Sequence, residues 1–275
     1  MRLVDSHGHL NADRFDADLE LVVGAARIAG LERILVPGWN IHSSGRALGV
    51  VTRWPWMDAA VGIHPHDAAK GDADGWSQVR AWARDERVVA IGETGLDSDR
   101  MFSPWEAQVD NLRRNLALAL ETGKPAILHC RSRAGERDAQ DALVEELGRA
   151  GFDGDAGRQA FGGRPPAVIH SFSGPLDYAR AVVAMGLAVS FSGLVFRKGE
   201  EPSADAVAVV PPERLLVETD SPFLSPPGGP RGRNEPAWVR VTAAWAADRR
   251  GVGEDQLGDA LVAAYDATFP RAAAR

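Results

Sequence analysis

The 275 residues carry 31 Lys and Arg against 38 Asp and Glu, a formal net charge of −7, with 45% hydrophobic and 25% charged residues. These proportions exclude overall disorder, and the acidic balance excludes a broad electropositive face for duplex DNA, though bound divalent cations can supply positive charge where a phosphate must sit. One cysteine, Cys130, excludes an internal disulfide framework and fits a reducing compartment. With neither a secretion signal nor a membrane-length apolar run, a cytoplasmic location and no membrane partner are expected.

Apolar, β-rich runs recur along the chain at Leu3–His7, Arg33–Pro37, Asp58–His64, Val88–Glu93, Ala126–Cys130, Ala167–Phe172, Leu187–Phe191 and Leu215–Thr219. Short runs that are apolar at most positions are expected of strands buried on both faces, as in a parallel sheet. Helical stripes lie between them. Val109, Leu112, Leu116 and Leu120 share one face, as do Trp238, Val241 and Trp245, and then Leu257, Leu261 and Tyr265. Eight strands alternating with helices predict a (β/α)₈ TIM barrel, one domain over 1–275, with its chemistry at the C-terminal face of the strands. The glycine-rich stretch Gly151–Pro166 precedes a strand, which makes it a surface insertion at the opposite face. Ser221–Asn234, stiffened by four prolines and carrying Arg231 and Arg233, follows the last strand at the catalytic face.

The histidines fall where those strands end. His7 and His9 form an H-x-H pair, and residues i and i+2 of a strand point to the same side. Glu93, His129, His170 and Asp220 each close a later apolar run. In a parallel barrel all six meet around one opening. Four imidazoles and two carboxylates exceed the protein ligands of a single catalytic zinc and suit two metals sharing a carboxylate. Such a pair can clamp a phosphodiester and generate a hydroxide nucleophile. Mixed nitrogen and oxygen ligation suits Zn, Mn, Fe or Co better than Mg.

These residues sit in His7-Gly8-His9-Leu10, Gly62-Ile63-His64-Pro65-His66, Ile91-Gly92-Glu93-Thr94-Gly95-Leu96-Asp97, Leu128-His129-Cys130-Arg131, His170-Ser171-Phe172-Ser173-Gly174 and Glu218-Thr219-Asp220-Ser221-Pro222. In kind and order these segments resemble the motifs of the TatD-like metal-dependent hydrolases, deoxyribonucleases of the amidohydrolase superfamily. The resemblance implies one metal on His7, His9, Glu93 and Asp220 and a second on Glu93, His129 and His170. Glu93 would bridge the two, and the ions would be two divalent ions, Zn, Mn or Mg. It further implies a metal-bridging hydroxide with Asp220 as general base, and 3′-to-5′ exonuclease action on single-stranded DNA ends. A carboxylated-lysine bridge is not expected, because none of Lys70, Lys124 and Lys198 ends a strand at this face.

Around the opening, His64, Arg131 and Arg133 are expected to hold substrate phosphate, arginine doing so bidentately. His66 either joins the site or caps the next segment. Asp97 either orders a loop or orients a histidine. Cys130 points away from His129 into the core, and Trp39 either stacks a base or packs. The alternative activity for the same site is hydrolysis of an ester or amide, such as an aminoacyl ester. No obligate protein partner is evident.

Overall fold

The computed structural model describes residues 1–271. Eight strands form one parallel sheet in chain order: β1 (Leu3–Asp5), β2 (Leu31–Pro37), β3 (Asp58–Val61), β4 (Val88–Asp97), β5 (Ala126–Arg131), β6 (Ala167–Ile169), β7 (Ala188–Phe191) and β8 (Leu215–Val217). Each neighbouring pair is parallel. The ends meet through backbone hydrogen bonds: Ser6 N–H donates to Val217 O at 3.1 Å, Asp220 N–H to His7 O at 2.9 Å, and His9 N–H to Ser221 O at 2.7 Å. This is the expected (β/α)₈ barrel. All eight apolar runs are strands, buried because helices cover the outside and side chains fill the inside.

The helices are α1 (Leu19–Ile28), α2 (Ile41–Arg53), α3 (Ala73–Trp82), α4 (Trp105–Thr122), α5 (Asp138–Arg149), α6 (Asp155–Phe161), α7 (Leu176–Ala184), α8 (Glu201–Asp205), α9 (Val239–Arg250) and α10 (Glu254–Thr268). Their ends follow local chemistry. Asn40 and Ser43 cap α2 reciprocally, and α4 stops at Gly123 in the left-handed conformation that glycine adopts without strain. Among the described residues, no helix is long and apolar enough to cross a membrane.

One stretch adds to these expectations and another corrects them. The glycine-rich composition of Gly151–Pro166 gave no sign of a helix, yet the stretch contains α6. Gly157 there packs so closely on the Phe152 carbonyl that a Cβ would lie 2.2 Å away, and the rings of Phe152 and Phe161 meet at 5.5 Å. A small apolar contact therefore makes a helix worth forming. In α9 the buried face is Val239, Thr242, Ala243, Ala246 and Ala247 rather than Trp238, Val241 and Trp245, which are half-buried. Small residues let the helix sit close to the barrel. Trp245 borders that contact, its ring 6.0 Å from Phe191 and 5.9 Å from Phe196.

Candidate metal centre

The six strand-end residues converge at the C-terminal mouth. β1 stops at Asp5, so His7 and His9 lie beyond the strand, in the extended segment that pairs with Asp220 and Ser221. The backbone seam thus sets three of the six side chains at once. Glu93 and His129 come from β4 and β5, which approach unusually closely. Gly95 lies at φ +139°, and a Cβ there would fall 1.8 Å from His129 O, so only glycine permits the contact.

Glu93 is the hub. Its Oε2 lies 3.2 Å from His7 Nε2 and 3.7 Å from His9 Nε2. Its Oε1 lies 2.8 Å from His170 Nε2, 3.2 Å from His64 Nε2 and 3.5 Å from His129 Nδ1. Asp220 Oδ1 adjoins the first set, 3.3 Å from His9 Nε2 and 3.9 Å from His7 Nε2. The two carboxylate oxygens therefore face two different groups of imidazoles.

The outer hydrogen bonds decide which ring nitrogens can serve a cation. His170 Nδ1 faces Glu218 Oε1 at 3.2 Å, so when the ring is neutral its proton sits there and Nε2 offers the lone pair. His129 Nε2 faces Asp97 Oδ2 at 3.1 Å, leaving Nδ1 for the centre. His64 is the opposite case. Its Nδ1 accepts from the His66 backbone N–H at 3.1 Å, so the neutral ring carries its proton on Nε2 and is a donor rather than a ligand.

Sequence reasoning left Asp5 and Glu218 unmarked. Both are fully buried. Glu218 Oε1 accepts from Ser171 N–H at 2.6 Å as well as facing His170. Asp5 Oδ1 accepts from His7 N–H at 3.2 Å and Thr219 N–H at 2.9 Å, tying the ends of β1 and β8 together. The available signal was a carboxylate inside each apolar run, since acidic residues are almost never fully buried without partners. Burial lifts the Asp5 carboxyl to about 7, against the opposing pull of its hydrogen bonds from Thr219.

Charge in the mouth is strongly coupled. Burial opposes ionisation of Glu93, but His170, His64 and His7 outweigh it and hold its carboxyl well below the usual range. Burial likewise works against a charged His170, yet Glu93 and Glu218 raise it well above its ordinary value. Burial lowers His7, with His170 adding to the effect, and brings His64 down to about 4 despite Glu93. Asp220 is lowered because His9 overcomes its burial.

The donor set fits divalent cations. His7 Nδ1, His9 Nδ1 and His170 Nε2 are buried without a hydrogen-bond partner, although His170 Nε2 lies 2.8 Å from a carboxylate oxygen. On the side that faces the carboxylate, His7 Nε2 and His9 Nε2 lie 3.2 Å apart and both point toward Glu93 Oε2, so these ring nitrogens share a common target with it. Groups of three that could hold an ion include His7, His9 and Glu93, and also His7, His170 and Asp220.

The other marked residues are placed as follows. Asp97 takes the orienting position, its Oδ2 facing both His129 and, at 2.7 Å, His66 Nε2. His66 is therefore held by Asp97, and the cap of the following turn is His64. Arg131 donates from Nε to Asp99 at 2.7 Å, whereas exposed Arg133 has no ion pair among the described residues. Arg233 is engaged by Asp18 and Glu235, each at 2.7 Å. Trp39 is half-buried and packs edge-on against His9, with 5.1 Å between ring centroids. Cys130 lies in the core, where burial pushes its thiol up to about 12. Among the described residues, four non-glycine residues adopt positive φ: Met101, Ser171, Asp220 and Leu224. All four lie in the segments at this mouth, and each such conformation costs about 1–3 kcal/mol, held by the surrounding structure.

Imidazoles and carboxylates gathered at the C-terminal mouth of a (β/α)₈ barrel define a metal-dependent hydrolase. The model of the TatD related DNase family matches residues 4–270. The chain is 35% identical over 255 residues to the uncharacterized metal-dependent hydrolase YabD of Bacillus subtilis, covering 93% of this chain and 94% of that one. It is 36% identical over 259 residues to the 3′-5′ ssDNA/RNA exonuclease TatD of Pectobacterium parmentieri, covering 91% and 92%. The solved structure of YJJV, a TatD homolog from Escherichia coli, superposes with a TM-score of 0.84 at 28% identity over 98% of both chains. The chain belongs to the TatD family of metal-dependent hydrolases, enzymes that act on ester bonds.

Proposed function

We propose that the chain hydrolyses phosphodiester bonds of nucleic acid, removing nucleotides from 3′ ends of single-stranded DNA. The observation that carries this reading is the division of Glu93, one oxygen toward His7 and His9 and the other toward His129 and His170. A carboxylate facing two imidazole sets suits two divalent ions, Zn, Mn or Mg, one held with His7, His9 and Asp220 and the other with His129 and His170. When bound, such ions neutralise phosphate charge and make water more acidic. The substrate named for the relative from Pectobacterium parmentieri, single-stranded DNA or RNA, supports a nucleic acid over a small ester.

The chain's own groups have distinct parts. Asp220, lowered by His9 and therefore ionised at neutral pH, takes a proton from the attacking water. His64, neutral and carrying its proton on Nε2, donates a hydrogen bond to a phosphate oxygen. Arg133 supplies an exposed cation beside the mouth, and Arg131 adds a second while braced by Asp99. Incubation of a 5′-labelled single-stranded oligonucleotide with Mn²⁺, Mg²⁺ or Zn²⁺ tests the proposal. A ladder shortening from the 3′ end is expected. Metal-loaded, folded protein that leaves the oligonucleotide intact while cleaving carboxylic esters or amides would overturn it.

A further inference from the structure

The mouth carries exposed aromatic surface that the hydrolytic machinery does not use. Phe102 is 67% exposed and Phe223 is 53% exposed. Phe102 lies in the segment that follows β4, and Phe223 in the segment that follows β8. In a closed ring of eight strands those two strands are diametrically opposed. The ring of Phe102 stands perpendicular to His66, with centroids 4.7 Å apart. The ring of Phe223 stands edge-on to His9, with centroids 6.2 Å apart. His66 connects to Glu93 Oε1 through Asp97 and His129, whereas His9 faces the other oxygen, Oε2, at 3.7 Å. One phenyl ring therefore flanks each side of the candidate metal centre.

Both rings are held in place. Met101, just before Phe102, and Leu224, just after Phe223, have φ of +49°, a conformation that L residues avoid unless the surroundings impose it. Ser103 Oγ donates to His66 O at 2.9 Å, and Gln108 Nε2 donates to Asp97 O at 3.1 Å and Ser103 O at 3.0 Å, bracing the first segment at both ends. In the second, Phe223 N–H donates to Asp220 O at 2.8 Å, and buried Asn234 donates from Nδ2 to Thr219 O at 2.9 Å. Loops fixed this firmly present their aromatic rings to solvent by construction.

Charge says what the rings meet. The chain is acidic, at −7, and Arg131 and Arg233 at the mouth are engaged by carboxylates. The charge that remains, exposed Arg133, the braced Arg131 and any bound cations, meets phosphate in single strands and duplexes alike, so telling them apart needs a second, uncharged contact. Unpaired bases supply it by stacking on aromatic faces, whatever their sequence, whereas bases in a duplex are already stacked and paired.

Resting on the nuclease reading above, we propose that Phe102 and Phe223 form a two-sided clamp for unpaired nucleobases flanking the hydrolysed phosphodiester, and so select single strands. The test measures KM and kcat for wild type, Phe102→Ala, Phe223→Ala and the matching Phe→Trp variants. Each is assayed on a single-stranded oligonucleotide and on one with abasic tetrahydrofuran residues flanking the cleaved bond. Each alanine variant is expected to raise KM about tenfold on the normal strand, with kcat held within about twofold. The same variants should leave KM unchanged on the abasic strand, and tryptophan should restore affinity. Because both rings are exposed, folding is checked by circular dichroism and thermal melting, with the tryptophan variants as the second control. Alanine variants with unaltered KM, or with the same KM rise on the abasic strand, overturn the clamp while the nuclease reading stands. A wild-type enzyme that cleaves no oligonucleotide overturns both.

Discussion

The barrel has a charged cluster at each end, and the two are built on opposite principles. At the N-terminal floor, Asp58 opens β3 and is almost fully buried. Arg33 Nε donates to it at 2.9 Å, Arg271 Nε at 2.8 Å and the Tyr265 hydroxyl at 2.9 Å. Every contact there is an aligned hydrogen bond from a donor to an acceptor. At the mouth, Glu93 has no arginine or lysine partner among the described residues, and its imidazole neighbours include buried nitrogens without hydrogen bonds. The floor is a finished network that holds β2, β3 and the C-terminal helix together. The mouth is a set of donors whose geometry is completed only by something added. One end of the fold spends its charges on stability, the other on chemistry.

Substitutions at the two ends should separate these roles. Asp220→Asn is expected to cut the rate of ester hydrolysis by about 10²–10⁴-fold, the usual contribution of a positioned proton acceptor, with little change in melting temperature. A variant of near-normal rate would show that the proton goes elsewhere. Asp58→Ala should do the reverse. It leaves two guanidinium groups short of their partner and costs about 3 kcal/mol in denaturant unfolding, at unchanged kcat. Loss of kcat in the folded variant would show that the two ends are coupled.

A smaller effect distinguishes the ends by pH. His170 is held well above its ordinary value, so the stabilisation from its charged form is whole below pH 6.5 and is lost as pH rises through the raised value. Cations compete for the same imidazole and need it deprotonated. Metal affinity measured by calorimetry should therefore rise between pH 6 and pH 8, by up to about tenfold for each proton released per pH unit, with proton release detectable by changing the buffer. A flat profile would mean that His170 is already neutral in the metal-free protein. The Asp58 network should show no such linkage to metal.

Much of this was legible beforehand, for physical reasons. Strands buried on both faces read as runs apolar at most positions, so all eight were visible, and the residues closing them had to share a face. The convergence of His7, His9, Glu93, His129, His170 and Asp220 followed from that topology. What stayed hidden depended on contacts between distant segments. The engagement of Arg233 by Asp18 spans 215 residues. The tautomer of His64 follows from a turn begun at Pro65, and nothing in the spacing of His64 and His66 reveals it. The exposed rings of Phe102 and Phe223 lie outside every apolar run and every periodic stripe, so pattern reading passes over them. The stripe chosen for α9 favoured large residues, while close helix-to-barrel packing favoured alanine.

The seam between β1 and the segment after β8 has a consequence for how the enzyme is born. His7 and His9 leave the ribosome long before their backbone partners, Asp220 and Ser221. More than two hundred residues must be synthesised before the first strand finds its last neighbour, a closure of high contact order. A nascent chain therefore carries its histidines without a site to put them in. Hydrolytic capability arrives in one step, when the ring shuts.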